Sequence, residues 1–141
     1  MISDSIELRV RYAETDQMRY VYYGNYAQYF EIGRTELIRQ LGFTYRQMED
    51  DWAIMLPVRK LEVRYLKPAR YDDLIRVTSS ITSQPKASIQ IDHTIHLIEN
   101  GQPTELLVTG FVELVFVNRE NMRPVRAPEI FIDALSKNGK S

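Results

Sequence analysis

The chain has 141 residues, 44% hydrophobic and 26% charged, which is the length and composition of one folded domain and not of a disordered tail. Lysine and arginine total 18 against 19 aspartates and glutamates, so a net charge of −1 gives no support for whole-molecule attraction to nucleic acid. With no cysteine, a disulfide framework, a thiolate metal site and a cysteine nucleophile are excluded.

Residues 6–12 alternate strictly, with Ile6, Leu8, Val10 and Tyr12 on one side, the period of a half-buried strand. The alternation stops at Ala13, and Glu14 to Gln17 is polar loop material. Tyr26, Tyr29, Phe30, Gly33, Leu37 and Leu41 then recur at three- and four-residue spacing, predicting a helix over about 25–41. Asn25 is its expected N-cap and Gly42 its C′ residue. Gly33 in the middle costs about 1 kcal/mol against alanine, which points to close contact with a neighbouring backbone. A second, shorter helix is expected over about 44–51.

The remainder reads as strands. Val58 to Leu66 places Leu61, Val63 and Tyr65 together and ends at Pro68, which has no amide to donate. Tyr71-Asp72-Asp73 is turn chemistry. Leu74 to Thr82 groups Ile75, Val77 and Ile81, and Ala87 to Ile98 groups Ile89, Ile91, Ile95 and Leu97. Asn100-Gly101 is a tight-turn signal. Thr104 to Val117 is apolar on both faces, as a central strand would be, and a short helix is expected over about 128–136. The order predicts one α+β domain over 1–141: a curved antiparallel sheet of five to six strands with one long helix in its concave side. Long strand edges invite pairing with another copy, so at least a dimer is expected. No apolar stretch of signal-peptide or membrane-spanning length is present, and a cytoplasmic protein is the default expectation.

A phosphate-binding glycine loop, a serine between glycines and an HExxH pattern are all absent from the sequence. His93 and His96 sit three apart in a strand, so they point to opposite faces and cannot share a metal. That leaves carboxylates. The richest segment, Arg11 to Tyr26, places Asp16 in a loop just before a helix start, among many tyrosines. The free amides and positive dipole end of a helix N-terminus can polarise a carbonyl while a nearby carboxylate attacks it or activates water. Asp16 serves either that chemistry or the capping of a turn.

The segment Tyr12 to Glu36, with Thr15-Asp16, Val21-Tyr22-Tyr23-Gly24-Asn25-Tyr26 and Arg34-Thr35-Glu36, resembles the 4-hydroxybenzoyl-CoA thioesterase-like acyl-CoA thioesterases, which have the hotdog fold. The resemblance covers nearly the whole chain, including Tyr65 to Asp73 and Arg123-Pro124. It implies an acyl-CoA thioester hydrolase without metal or redox cofactor. Asp16 would be its general base or nucleophile. The backbone amide of Tyr23 would stabilise the oxyanion. The resemblance also places Glu31 and Tyr45 at the acyl pocket, and Lys86 and Arg123 at the CoA phosphates. The implied assembly is a homodimer or homotetramer. An acyl-carrier-protein thioesterase and a non-catalytic acyl-CoA-binding hotdog module are the alternatives. A hotdog dehydratase would need a histidine paired with an acid, and neither histidine lies in the helix-start segment. Two departures stand out: many relatives carry glycine where Arg19 stands, and histidine or another residue where Tyr23 stands. An arginine at position 19 is expected to lower the acid's pKa or narrow the pocket.

Overall fold

In the computed structural model, which describes residues 2–139, each long apolar pattern of the sequence becomes one element. Strand β1 (Ile2–Arg9) is followed by a 3-10 turn (Tyr12–Glu14), the long helix α1 (Asn25–Gln40) and the short helix α2 (Tyr45–Trp52). Then come β2 (Ile54–Met55), β3 (Val58–Tyr65), β4 (Leu74–Ile81), β5 (Ser88–Glu99), β6 (Gln102–Val115), β7 (Val117–Asn118) and α3 (Glu129–Asn138). The main sheet has five strands in the order β1-β4-β5-β6-β3, with every neighbouring pair antiparallel. β2 and β7 form a separate two-residue pair that leaves no readable period in the sequence.

The alternation buries one face of the sheet: Ile75, Val77, Ile81, Ile89, Ile91, Ile95, Val108, Val112 and Leu114 are all buried. α1 lies across that face against β1, β4 and β5, with Phe30 and Leu37 fully buried. Burial of a large apolar side chain contributes about 1.5–3 kcal/mol, so this stripe holds the helix in place. Gly33 sets the distance of approach. A Cβ there would fall 2.5 Å from Ser79 Oγ and 2.8 Å from Val77 Cγ1, so the close contact expected of this glycine is present, but with side chains of β4 and not with a neighbouring backbone.

The core has two ends. Leu37, Ile38, Leu41, Phe43, Met48, Phe116 and Phe131 form one, beneath the C-terminal half of α1. Val10, Val21, Tyr26, Tyr29, Phe30, Ala69, Ile75, Ile95 and Val108 form the other, beneath its start. The helix does not cover β3. Leu61 and Tyr65, 44% and 51% exposed, face the helix side of the sheet opposite Val112 and Val108, and the outer edge of β3 pairs with no strand among the described residues.

Three details differ from the sequence-based expectations. Tyr12 is exposed, because the 3-10 turn ends the strand alternation after Val10 and leaves the ring against Tyr71. Near the end of β5 the register shifts at Ile95/His96 and Leu97/Ile98, so Ile98 is buried and Leu97 only partly. Gly24, not Asn25, is the N-cap of α1, and no side chain caps it. The Asn25 amide instead donates across to the Glu14 carbonyl, 2.8 Å away.

Candidate active site

The loop after the 3-10 turn holds Asp16 by its own backbone. Its N–H donates to the Tyr20 carbonyl (2.8 Å) and its carbonyl accepts from the Arg19 amide (2.9 Å). One carboxylate oxygen, Oδ1, accepts from the Met18 amide (2.9 Å) and the Tyr20 amide (3.3 Å). Oδ2 accepts no hydrogen bond among the described residues. Asp16 therefore does cap a turn, and the capping uses only one of its oxygens. The turn closes because Arg19 adopts φ +66°, the left-handed region that favours glycine and costs a non-glycine residue about 1–2 kcal/mol. The arginine bears on the acid through this backbone conformation. Its side chain is exposed and does not line the cleft beside Asp16, so it does not narrow the pocket.

That cleft has a volume of about 300 Å³ and is lined by Asp16, Met18, Tyr20, Val21, Tyr23, Tyr26 and the segment Tyr65-Leu66-Lys67-Pro68. Val21 N–H donates to the Ala69 carbonyl (2.9 Å), and the Ala69 amide donates to the Tyr26 hydroxyl (3.1 Å). These bonds clamp the 65–70 segment against the helix start. Burial raises the pKa of the Tyr26 phenol, so it stays neutral. Tyr65 packs edge-on against Tyr23, with ring centroids 6.4 Å apart.

Tyr23 and Gly24 precede the first helical residue. Asn25 N–H bonds to Tyr22 and Tyr26 N–H to Tyr23, while the amides of Tyr23 and Gly24 donate to no group among the described residues. Free amides at a helix N-terminus suit an anionic oxygen. The cleft thus has an acid with a spare oxygen, a free amide tip and apolar aromatic walls. Another depression of about 260 Å³, between β1, β4 and α3, is lined by no titratable side chain. Chemistry, more than size, singles out the Asp16 cleft.

The other residues expected at the site do not line it. Glu31 is exposed on α1. Tyr45 begins α2, with its hydroxyl buried and unpartnered among the described residues. Burial pushes its phenol up to about 12, with Arg34 opposing and Glu31 reinforcing, so these three side chains lie near one another. Lys86 and Arg123 stand at the far end of the sheet. Asp16 lies beside the start of β4, where Tyr20 bridges Arg70, whereas Lys86 follows the end of that strand. Eight strand residues separate the two ends, roughly 25 Å at 3.3 Å per residue. Arg123 shares that end of the sheet: its carbonyl accepts from Asn118 N–H just beyond β6, and Ala127 N–H, four residues further on, donates to the Lys86 carbonyl.

His93 is buried under α1, stacked on Phe30 at 4.5 Å, with Nδ1 2.9 Å from Ser79 Oγ. Burial, with help from the Arg34 charge, pushes it down to about 3, so its ring is neutral and outside the cleft. Among the described residues no three His, Asp or Glu side chains gather as metal ligands would.

The wall Tyr65 to Pro68 is the part of the site that residue patterns alone miss. The one local signal is an aromatic residue ending a strand just before a proline.

A long helix laid in an antiparallel sheet, with an acid loop at its N-terminal tip, defines a hotdog-fold enzyme. Comparison with solved structures agrees. DHNA-CoA thioesterase from Staphylococcus aureus superposes with a TM-score of 0.84 at 33% identity, over 100% of this chain and 97% of that one. The 4-hydroxybenzoyl-CoA thioesterase of Pseudomonas sp. strain CBS-3 shares the fold with a TM-score of 0.84 at 20% identity, over 94% and 98%. The acyl-CoA thioester hydrolase YbgC of Escherichia coli O157:H7 is 31% identical over 125 residues, 89% of this chain and 90% of that protein. The thioesterase superfamily model matches residues 18–104, and the chain belongs to that family.

Proposed function

We propose that the protein is an acyl-CoA thioesterase whose active site is the Asp16 cleft. The observation that carries this reading is a carboxylate anchored through one oxygen in a cleft that is also lined by Tyr23, the residue whose amide is unpaired among the described residues. The thioester carbonyl would accept a hydrogen bond from that amide, worth roughly 3–4 kcal/mol once negative charge develops on the oxygen. Asp16 Oδ2 then either takes a proton from water as the water adds to the carbonyl carbon, or attacks that carbon itself. In the first route the tetrahedral intermediate expels the CoA thiolate, which takes up the proton. In the second a mixed anhydride forms as the thiolate leaves, and water hydrolyses it. Both routes yield free acid and CoA. A thiolate leaves readily, so a histidine acid is not required. The apolar walls suit an acyl group, and no cofactor enters either route. A cysteine-free chain fits a cytoplasmic setting, and among the described residues no helix is long and apolar enough to cross a membrane.

Turnover of short, long, branched and aromatic acyl-CoAs beside an acyl-carrier-protein substrate tests the assignment. Hydrolysis of at least one CoA ester, abolished at Asp16, is expected. Turnover of the carrier-protein ester alone would reassign the leaving group, and no turnover of any ester would overturn the reading.

Phosphate contacts involve a second copy in this scheme. The bare edge of β3 and the exposed Leu61 and Tyr65 suit antiparallel pairing with a second β3, giving a dimer or a larger assembly. Such pairing sets the Val58 end of one strand beside the Tyr65 end of the other. The sheet end that carries Lys86 and Arg123 is then carried toward the partner copy's cleft. Lys86→Ala and Arg123→Ala are expected to raise KM for CoA esters about threefold to tenfold and to leave pantetheine esters unaffected. Equal shifts for both esters would remove the two cations from phosphate binding.

A further inference from the structure

We infer that Glu14 is a positioning residue that fixes the Asp16 loop against the start of α1. The inference rests on the assignment of Asp16 and the Tyr23 amide made above. Two main-chain segments must keep a set separation for that chemistry: the loop carrying the acid and the helix tip carrying the amide. Both converge on this one residue. The Glu14 carbonyl accepts from the Tyr22 amide (2.9 Å) and from Asn25 Nδ2 (2.8 Å), the residues flanking Tyr23 and Gly24. Its side chain turns the other way. Oε1 accepts from the Arg11 amide (2.8 Å) and from the Tyr29 hydroxyl (3.1 Å), one helical turn further along α1. Oε2 meets the exposed Arg11 guanidinium at 3.3 Å. The Glu14 side chain is only 13% exposed, and Tyr29 is buried in the core beneath the helix start. Glu14 thereby ties the helix at two successive turns, two residues before the catalytic acid.

A group that only stabilised the fold would lower the melting temperature and leave the turnover of folded enzyme alone. A group that sets the acid-to-amide spacing acts on kcat, because a misplacement of about 1 Å costs up to a hundredfold in rate. Glu14→Ala is therefore expected to lower kcat tenfold to a hundredfold, with KM within about threefold of wild type. Glu14→Gln keeps an acceptor oxygen for Arg11 N–H and the Tyr29 hydroxyl, and is expected to restore kcat to within about threefold. Tyr29→Phe and Asn25→Ala each cut one tie, and each is expected to lower kcat by about threefold to tenfold. Folded Glu14→Ala protein with wild-type kcat would overturn the inference, as would equal losses in the alanine and glutamine variants. If Glu14→Ala does not fold, the two single-tie variants decide: reduced kcat at constant KM supports the inference, and unchanged kcat in both overturns it. Asp16→Asn is run alongside. Its inactivity combined with an active Glu14→Ala rejects only this inference, whereas an active Asp16→Asn rejects the underlying assignment.

Discussion

Asp16→Asn should retain the fold and lose acyl-CoA turnover by roughly a hundredfold to ten-thousandfold. The fold should survive because the asparagine side-chain oxygen can still accept from the Met18 and Tyr20 amides, the two bonds that close the turn. Turnover should fall because the second position becomes an NH₂ group, which neither takes a proton from water nor attacks a carbonyl. KM should change little, since the apolar walls and the Tyr23 amide remain. Circular dichroism and steady-state kinetics on one preparation check both halves. Hydrolysis within a few-fold of wild type by the folded variant would remove Asp16 from the mechanism. Single turnover in ¹⁸O-water then tests the second route in the wild type: an acid product free of ¹⁸O, with the label in the Asp16 carboxylate, marks attack by the carboxylate itself followed by hydrolysis of the anhydride at the aspartyl carbon.

Acid should cost the protein stability through the buried His93. In the native state burial holds this ring down to about 3, against 6.5 for an ordinary histidine. Between those values the unfolded chain binds a proton that the native protein refuses. The native state therefore has its full stability above about pH 6.5 and loses it progressively as pH falls toward 3, by up to about 1.4 kcal/mol per pH unit. The surroundings offer no relief: Ser79 and Phe30 are neutral and Arg34 is cationic. His93→Gln removes the titration and leaves a polar group within reach of Ser79. At pH 7 the variant should be less stable by about 1–3 kcal/mol, through the lost ring stack. Its deficit should shrink or reverse by pH 4. Urea unfolding from pH 7 to pH 4 measures the difference, in which the contributions of carboxylates common to both proteins cancel. Parallel stability curves would show that His93 takes up its proton in the folded state.

The elements were legible wherever a period ran for several residues. α1 follows from the spacing of Tyr26 to Leu41, and its contact with the sheet follows from the glycine at position 33, confirmed against Ser79 and Val77. The acid loop was legible because the strand alternation fails at Ala13. What the sequence lacked was non-local. Nothing near Tyr65 says that β3 pairs with β6 and swings the 65–68 segment over to Asp16. Nothing near Lys86 or Arg123 says that they lie at the opposite end of the sheet. Glu14 reads as one polar loop residue among four, because its partners Tyr29 and Asn25 become its neighbours only when the helix turns back over the loop. The left-handed backbone at Arg19 is equally silent, since arginine is a poor marker of that conformation.

The seat of α1 has a consequence for how acyl preference can change within this architecture. With hydrogen alone at position 33 facing Ser79 and Val77, and with the Phe30 ring filling the space that a side chain at Gly110 would take, the helix meets the sheet without slack at two points. A Cβ at either glycine would push the helix off the sheet, so these two positions set the seat of α1. If the Asp16 cleft is the acyl site as proposed, variation in the acyl group accepted then has to come from the side chains of its wall, Tyr65 to Pro68 and Met18, which can be re-sized residue by residue while the backbone around Asp16 keeps its place.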